Sequence, residues 1–198
     1  VGCPSIDALE QEKDEDYKKI KQKFKIDILQ DYILIIQHPV TSEINNVHKQ
    51  FVETIEALKK IKKQKLFVFP NNDAGSHKII NLIKKYNFNY CQTLSLREYK
   101  TLLKKSKALV GNSSSGIHEA ATYKIPVINI GTRQEGRTKT INVIDAGYNR
   151  YEIYNSIKKI LRPSFRKKLN FLKNPYGNGN SSKKIINDIK KLNLKKFN

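Results

Sequence analysis

Polar, small and charged side chains gather at four places in the chain, each directly after a short apolar run. These are Gln37-His38-Pro39, Pro70-Asn71-Asn72-Asp73-Ala74-Gly75-Ser76, Gly111-Asn112-Ser113-Ser114-Ser115-Gly116 and Gly131-Thr132-Arg133-Gln134. The third has the chemistry of a phosphate cradle. Gly111 and Gly116 permit tight or left-handed backbone, and Ser113 and Ser114 put hydroxyls beside the peptide N–H groups that open the next helix. Those N–H groups need acceptors in any case, and the helix dipole adds about 0.3–1 kcal/mol for an anion placed there. Arg133 and Arg137, on the loop after the following strand, offer charge-assisted hydrogen bonds worth roughly 1.5–3 kcal/mol each where partly desolvated. Glu119, one turn into the helix, is placed to accept two ribose hydroxyls, and a carboxylate flanked by small apolar residues needs a partner.

Each of these residues also has a plainer reading. A serine-rich turn ahead of a helix serves as an N-cap. His38 beside a proline serves as a half-buried structural histidine, and Asp73 in NNDAGS caps the helix that follows. His48, His77 and His118 share no metal-ligand spacing and are read as surface or capping residues, so no metal is expected. Convergence on one rim is what points to a ligand.

Convergence requires a fold that brings these segments together. Tyr32 to Gln37 (YILIIQ) and Leu66 to Phe69 (LFVF) are continuous apolar runs, the pattern of strands buried on both faces. Further strands are predicted near 89–92, 107–110, 126–130 and 142–144. Helices are predicted at 14–24, 43–60, 76–86, 96–106, 116–123, 150–161 and 181–192; in the second of these Val47, Phe51, Ile55 and Leu58 recur at helical spacing. Alternating strands and helices call for an α/β fold, a Rossmann-like doubly wound parallel sheet whose ligands bind outside the carboxyl ends of the strands. The one composition break is PYGNGNSS at 175–182. It sets a loop with terminal helix, 175–198, apart from a nucleotide-binding domain 31–174 and would let that helix dock elsewhere, for example on a neighbouring domain; residues 1–30 are read as a lead-in segment.

A chain of 198 residues can bury roughly 70 % of its unfolded surface, enough for a sizeable core without disulfides or metals. Its formal net charge of +20 raises the question of nucleic acid. The lysines, however, are scattered through amphipathic segments such as KKIKQKFK, IEALKKIKKQK and IINDIKKLNLKK, with no helix-turn-helix, zinc spacing or aromatic RNA-binding strand beside them. Solvated helix faces account for them, and no nucleic-acid partner is expected. Cys3 and Cys91 are unpatterned, as in a reducing compartment. No run of 18 apolar residues and no signal peptide is apparent, so a cytoplasmic protein without a membrane partner is expected. The chain has no Met and begins VGCPSID, which is not a natural translation start, so a further segment upstream is expected.

Taken in order, QHPVTSE, FPNNDAGS, GNSSSGIHEA, PVINIGTRQEGR and YGNGNSS resemble the carboxyl-terminal half of the hydrolysing UDP-N-acetylglucosamine 2-epimerases, and GCPSID resembles the segment just before that family's hinge. The resemblance spans nearly the whole chain. It implies one half of a glycosyltransferase-B-like enzyme of two Rossmann-like halves, working without cofactor or metal. Such enzymes eliminate UDP from UDP-N-acetylglucosamine and add water to a 2-acetamidoglucal intermediate, giving N-acetylmannosamine for sialic-acid-type synthesis. The resemblance further implies that Ser113 and Ser114 hold the diphosphate, that Glu119 takes the ribose hydroxyls and that Arg133 neutralises phosphate charge. His38, the catalytic candidate, would reach the phosphates or the departing oxygen, with Asn71 beside it. Leu94 and Tyr99 would contact the uracil, although an aromatic at helical spacing is equally a core residue. The groups that move the C2 proton lie largely in the family's amino-terminal half. This chain is therefore expected to bind UDP, to need that half as its partner, to join a homo-oligomer, and to turn over nothing alone. An epimerase for another nucleotide sugar, such as a 2,4-diacetamido-6-deoxy sugar, a glycosyltransferase of similar fold and a non-catalytic basic binding module are the alternatives.

Overall fold

The computed structural model describes residues 1–192. Six strands form one sheet: β1 (Tyr32–Ile36), β2 (Gln64–Val68), β3 (Tyr90–Cys91), β4 (Ala108–Gly111), β5 (Val127–Ile130) and β6 (Val143–Ala146). Their spatial order is β3-β2-β1-β4-β5-β6, and every neighbouring pair is parallel. The helices are α1 (Pro4–Gln11), α2 (Tyr17–Phe24), α3 (Val47–Lys59), α4 (Ser76–Lys85), α5 (Leu96–Lys105), α6 (Ser115–His118), α7 (Arg150–Ile160), α8 (Pro163–Lys168) and α9 (Ser181–Lys191).

The continuous apolar runs have the expected cause. In β1 all five residues are buried, with Ile33 and Ile35 in the core on one face and Tyr32, Leu34 and Ile36 in the core on the other. Each such side chain contributes about 1.5–3 kcal/mol on burial. The first face is covered by α3, α4 and α7 through Phe51, Ile55, Ile79, Ile83, Ile153 and Ile157. Ile20 and Phe24 of α2, Leu102 and Leu103 of α5, and Ala120 after α6 cover the second. This is a doubly wound, Rossmann-like sheet.

Several elements differ from the sequence expectation. The lead-in carries two helices: α1 opens on Pro4 and was not predicted, and α2 starts at Tyr17 because the Asp16 carboxylate accepts from Lys18 N–H at 2.7 Å and Lys19 N–H at 3.1 Å. The helix predicted from 43 begins as a 3-10 turn at Thr41–Asn46 before α3. The helix predicted over 116–123 is the single turn α6. The Ala120 N–H reaches back to Ser115 O, Lys124 adopts φ 55° and Pro126 follows, so the chain turns straight into β5. Helix α8, which was not predicted, opens on Pro163. Asp73 does not cap α4 with its side chain; Gly75 stands at the N-cap, and the Asp73 carbonyl accepts from Ser76 N–H at 3.0 Å.

The start of the terminal helix docks on α1, where the buried Asp7 carboxylate accepts from Ser181 N–H at 3.0 Å and Ser182 N–H at 2.7 Å, while Ile186 and Ile189 farther along it stay exposed. These backbone donors, Ser182 first, pull the Asp7 carboxyl down to about 2. Residues 193–198 of the predicted 175–198 segment lie outside the described residues. Among the described residues, no helix is long and apolar enough to cross a membrane. Both cysteines are free, and burial pushes the Cys91 thiol up to about 12.

Gly111 ends β4 at φ 137°, where a Cβ would stand 2.0 Å from the Ile36 carbonyl oxygen. Gly136 also has a positive φ, 72°, but a Cβ there would meet nothing within 4 Å. Gly136→Ala should therefore cost about 1 kcal/mol, and Gly111→Ala at least about 2 kcal/mol more, since the β1–β4 approach must open. Urea denaturation of the two variants measures the difference.

Candidate functional site

In a doubly wound sheet the crevice forms where neighbouring strands send their connections to opposite faces. Here that point lies between β1 and β4. The chain after β1 enters α3 on the first face, and the chain after β4 passes through α6 to Ala120 and Ile125 on the second. A cleft of about 700 Å³ opens at their carboxyl ends. Four of the predicted site residues line it from the ends of β1, β2, β4 and β5: His38, Asn71, Ser113 and Arg133. Leu94, Tyr99, Ser114 and Glu119 line it as well. The structure thus brings all eight together, joined by Gln92 and Thr93 from the end of β3.

His38 is buried, and its ring is fixed by one bond: the Asn71 N–H donates to His38 Nδ1 at 3.2 Å. With Nδ1 an acceptor, the neutral ring carries its hydrogen on Nε2. Burial first and the Arg133 charge second lower the imidazole to about 4, with Asp73 opposing them. His38 is therefore a neutral donor at physiological pH.

The serine turn is partly self-satisfied. Ser113 Oγ accepts from Ser115 N–H at 3.3 Å and lies 3.0 Å from Ser115 Oγ, while Ser114 makes no side-chain cap. Gly116 serves packing rather than a left-handed turn, because a Cβ there would stand 2.8 Å from Val127 Cγ1. With α6 only one turn long, Glu119 is its C-cap instead of lying within a longer helix. Its carboxylate already has protein partners, which the sequence did not reveal: Ser5 Oγ donates to Oε1 at 2.8 Å and Tyr99 Oη donates to Oε2 at 3.1 Å. A carboxylate offers about four lone-pair sites, so acceptor capacity remains.

Tyr99 packs against the second core and also lines the cleft. It is held there by α5, whose start is a capping box. Ser95 Oγ accepts from Glu98 N–H at 3.2 Å, and Glu98 accepts from Ser95 N–H at 2.9 Å. Burial and the neighbouring Glu119 push the Tyr99 hydroxyl well above its usual range, so it stays a donor.

Arg137 does not reach the cleft. It turns to His118, with 2.8 Å between its guanidinium and His118 Nε2. Among the described residues no lysine lines the cleft, and Arg133 is its one cationic side chain. Sequence reading also passed over Asn112, which is 1 % exposed and bonds to the main chain of His38. The cue available was an amide next to a glycine at a strand end, too common to single out. Among the described residues no group of three or more His, Cys, Asp or Glu could hold a metal.

The folded His38 takes up a proton only near pH 4, whereas the unfolded chain takes one up near pH 6.5. The unfolded state therefore binds more protons between these values, and this term erodes stability as pH falls from about 6.5 to about 4. Histidine NMR should place the His38 midpoint at about 4 and should show it rising in Arg133→Ala. A midpoint at the ordinary histidine value would contradict the buried, neutral ring.

The family model for UDP-N-acetylglucosamine 2-epimerase matches residues 1–190. The UDP-N,N'-diacetylbacillosamine 2-epimerase (hydrolyzing) of Legionella pneumophila is 32 % identical over 198 residues, which cover 98 % of this chain and 52 % of that protein. The GDP/UDP-N,N'-diacetylbacillosamine 2-epimerase (hydrolyzing) of Campylobacter jejuni is 34 % identical over 142 residues, 67 % of this chain and 36 % of that one. Among solved structures, the UDP-GlcNAc 2-epimerase of Neisseria meningitidis bound to UDP-GlcNAc superposes with a TM-score of 0.77 at 24 % identity, covering 96 % of this chain and 54 % of that chain. The chain spans about half the length of the Legionella relative, and the shared fold is that of one half of a glycosyltransferase-B-like protein. With a match running from Val1 to Lys190 and a cleft built from the strand tips that carry the matching motifs, this chain belongs to the UDP-N-acetylglucosamine 2-epimerase family.

Proposed function

We propose that this chain is the nucleotide-binding half of a hydrolysing, cytoplasmic UDP-N-acetylglucosamine 2-epimerase serving sialic-acid-type synthesis. Residues 31–174 form the nucleotide domain in this reading, 1–30 the junction, and 175–198 the closing loop and helix. The observation that carries it is the meeting of His38, Asn71, Leu94, Tyr99, Ser113, Ser114, Glu119 and Arg133 in one cleft.

The residues divide by chemistry. Ser113, Ser114 and Arg133 donate to the diphosphate, and Glu119 accepts the ribose hydroxyls. Leu94 and Tyr99 flank the base. Elimination breaks the C1–O bond as the C2 proton is removed, and negative charge grows on the departing β-phosphate oxygen. His38 Nε2–H and the Arg133 guanidinium are donors that strengthen as that charge develops. Water then adds to the unsaturated sugar, giving N-acetylmannosamine. The base at C2 belongs to the half of the relatives' length that this chain does not span, and that half is the partner needed for turnover, within a homo-oligomer.

A second reading replaces the sugar by a 2,4-diacetamido-6-deoxy sugar, and the name of the Legionella relative at 32 % identity favours it. Both readings share the UDP site. Calorimetry with UDP and GDP should show UDP binding preferentially. Arg133→Ala should weaken UDP by about 1.5–3 kcal/mol, because it removes the guanidinium that faces the cleft. Lys104→Ala, which breaks a surface pair with Asp14 at 2.8 Å, should change binding by less than about 0.5 kcal/mol. Equal losses at the two positions would favour diffuse attraction by the net charge of +20 over a built site.

A further inference from the structure

Asn112 does not line the cleft, yet it is bonded to residues on both sides of it. The last ladder pair between β1 and β4 is Ile36 with Gly111, and the Asn112 N–H still donates to the Ile36 carbonyl at 3.1 Å. Beyond this point the two main chains part, and the peptide groups of His38 lose their strand partner. The Asn112 side chain takes that place. Its Oδ1 accepts from His38 N–H at 2.7 Å, and its Nδ2 donates to His38 O at 2.9 Å. A carboxamide carries the donor and acceptor of a peptide group, so this side chain extends the ladder by one residue across the gap. On the other flank, the Asn112 carbonyl accepts from Gln134 Nε2 at 2.7 Å and from the Arg133 guanidinium at 3.3 Å.

We propose that Asn112 is a positioning residue that fixes the spacing between the His38 imidazole and the Arg133 guanidinium, so that both meet one diphosphate. The inference rests on the nucleotide reading above and adds to it the element that aligns its two donors. An interior amide bonded on both sides is also rigid, because releasing either bond leaves a buried polar group unpaired.

Asparagine and aspartate share a shape, but an ionised carboxylate has no hydrogen for the His38 carbonyl. Asn112→Asp should therefore bind UDP about tenfold more weakly than the native protein at about pH 8, and should recover much of the loss at about pH 5.5, where the buried carboxyl is protonated and donates again. Asn112→Ala should stay weak at both values, with native binding as the control for titration of UDP itself. Calorimetry gives the affinities. NMR of the ligand-free protein gives a second readout: the charged groups facing His38 are Arg133 and Asp73, and in Asn112→Ala, where the released His38 segment loosens and its ring gains water, the His38 midpoint should rise above its native value of about 4.

Native-like His38 titration together with UDP affinity within about twofold in both variants would overturn the proposal. Absence of UDP binding by the native protein would instead remove the nucleotide reading, and the His38 midpoint would still decide whether Asn112 holds the imidazole. Should Asn112→Ala fail to fold, the isosteric Asn112→Asp carries the test alone.

Discussion

The site depends on how closely β1 and β4 approach before they part. At their carboxyl ends Gly111 lies so near the Ile36 carbonyl that no side chain fits between them, and one residue later the two chains diverge toward opposite faces of the sheet. A parallel sheet has no water inside to satisfy peptide groups freed by such a divergence. The Asn112 amide resolves this by bonding both peptide groups of His38. Close approach, divergence and repair together produce a cleft whose walls are polar and whose floor is rigid.

The electrostatics of the cleft are local. A formal net charge of +20 sets a field around the whole molecule, but among the described residues those lining the cleft supply one cation, Arg133, and one carboxylate, Glu119. Some lysines away from the cleft pair with surface carboxylates, as Lys63 and Lys107 both do with Asp31. Exposed pairs of this kind contribute little to stability and are screened by salt. The same economy applies to His38, which burial and Arg133 keep neutral, so that it offers a directed hydrogen without a second buried charge.

How much was legible beforehand differs from element to element. The central strands β1, β4 and β5 were visible as apolar runs because a strand buried on both faces has no polar side to disguise it. The polar segments after the strands stood out by contrast and held His38, Asn71, Ser113, Ser114 and Arg133, while Leu94 lies just before α5, Tyr99 in its first turn and Glu119 at the end of α6. Helix ends were harder. The pattern of 116–123 is apolar and compact enough for a helix, but α6 stops after one turn because the chain must reach Pro126 and enter β5. Ser5 was invisible as a partner of Glu119, since 114 residues separate them in sequence and only the docking of α1 brings them together. The same docking ties the start of α9 to Asp7 of the lead-in segment, a partner 174 residues away in sequence.

The sequence by itself determined the sheet, the alternation that makes it parallel, and the identity of the polar residues at the strand tips. These follow from periodicity and residue type, which are local properties of the chain. Tertiary structure alone decided which side chains satisfy one another: the amide of Asn112 on His38, the Asn71 N–H on the imidazole, and Ser5 with Tyr99 on Glu119. It also turned Arg137 away from the cleft that Arg133 enters. The physical reason is that hydrogen bonds between distant segments depend on the relative placement of whole elements. That placement is set by packing across both faces of the sheet, and no short stretch of sequence encodes it.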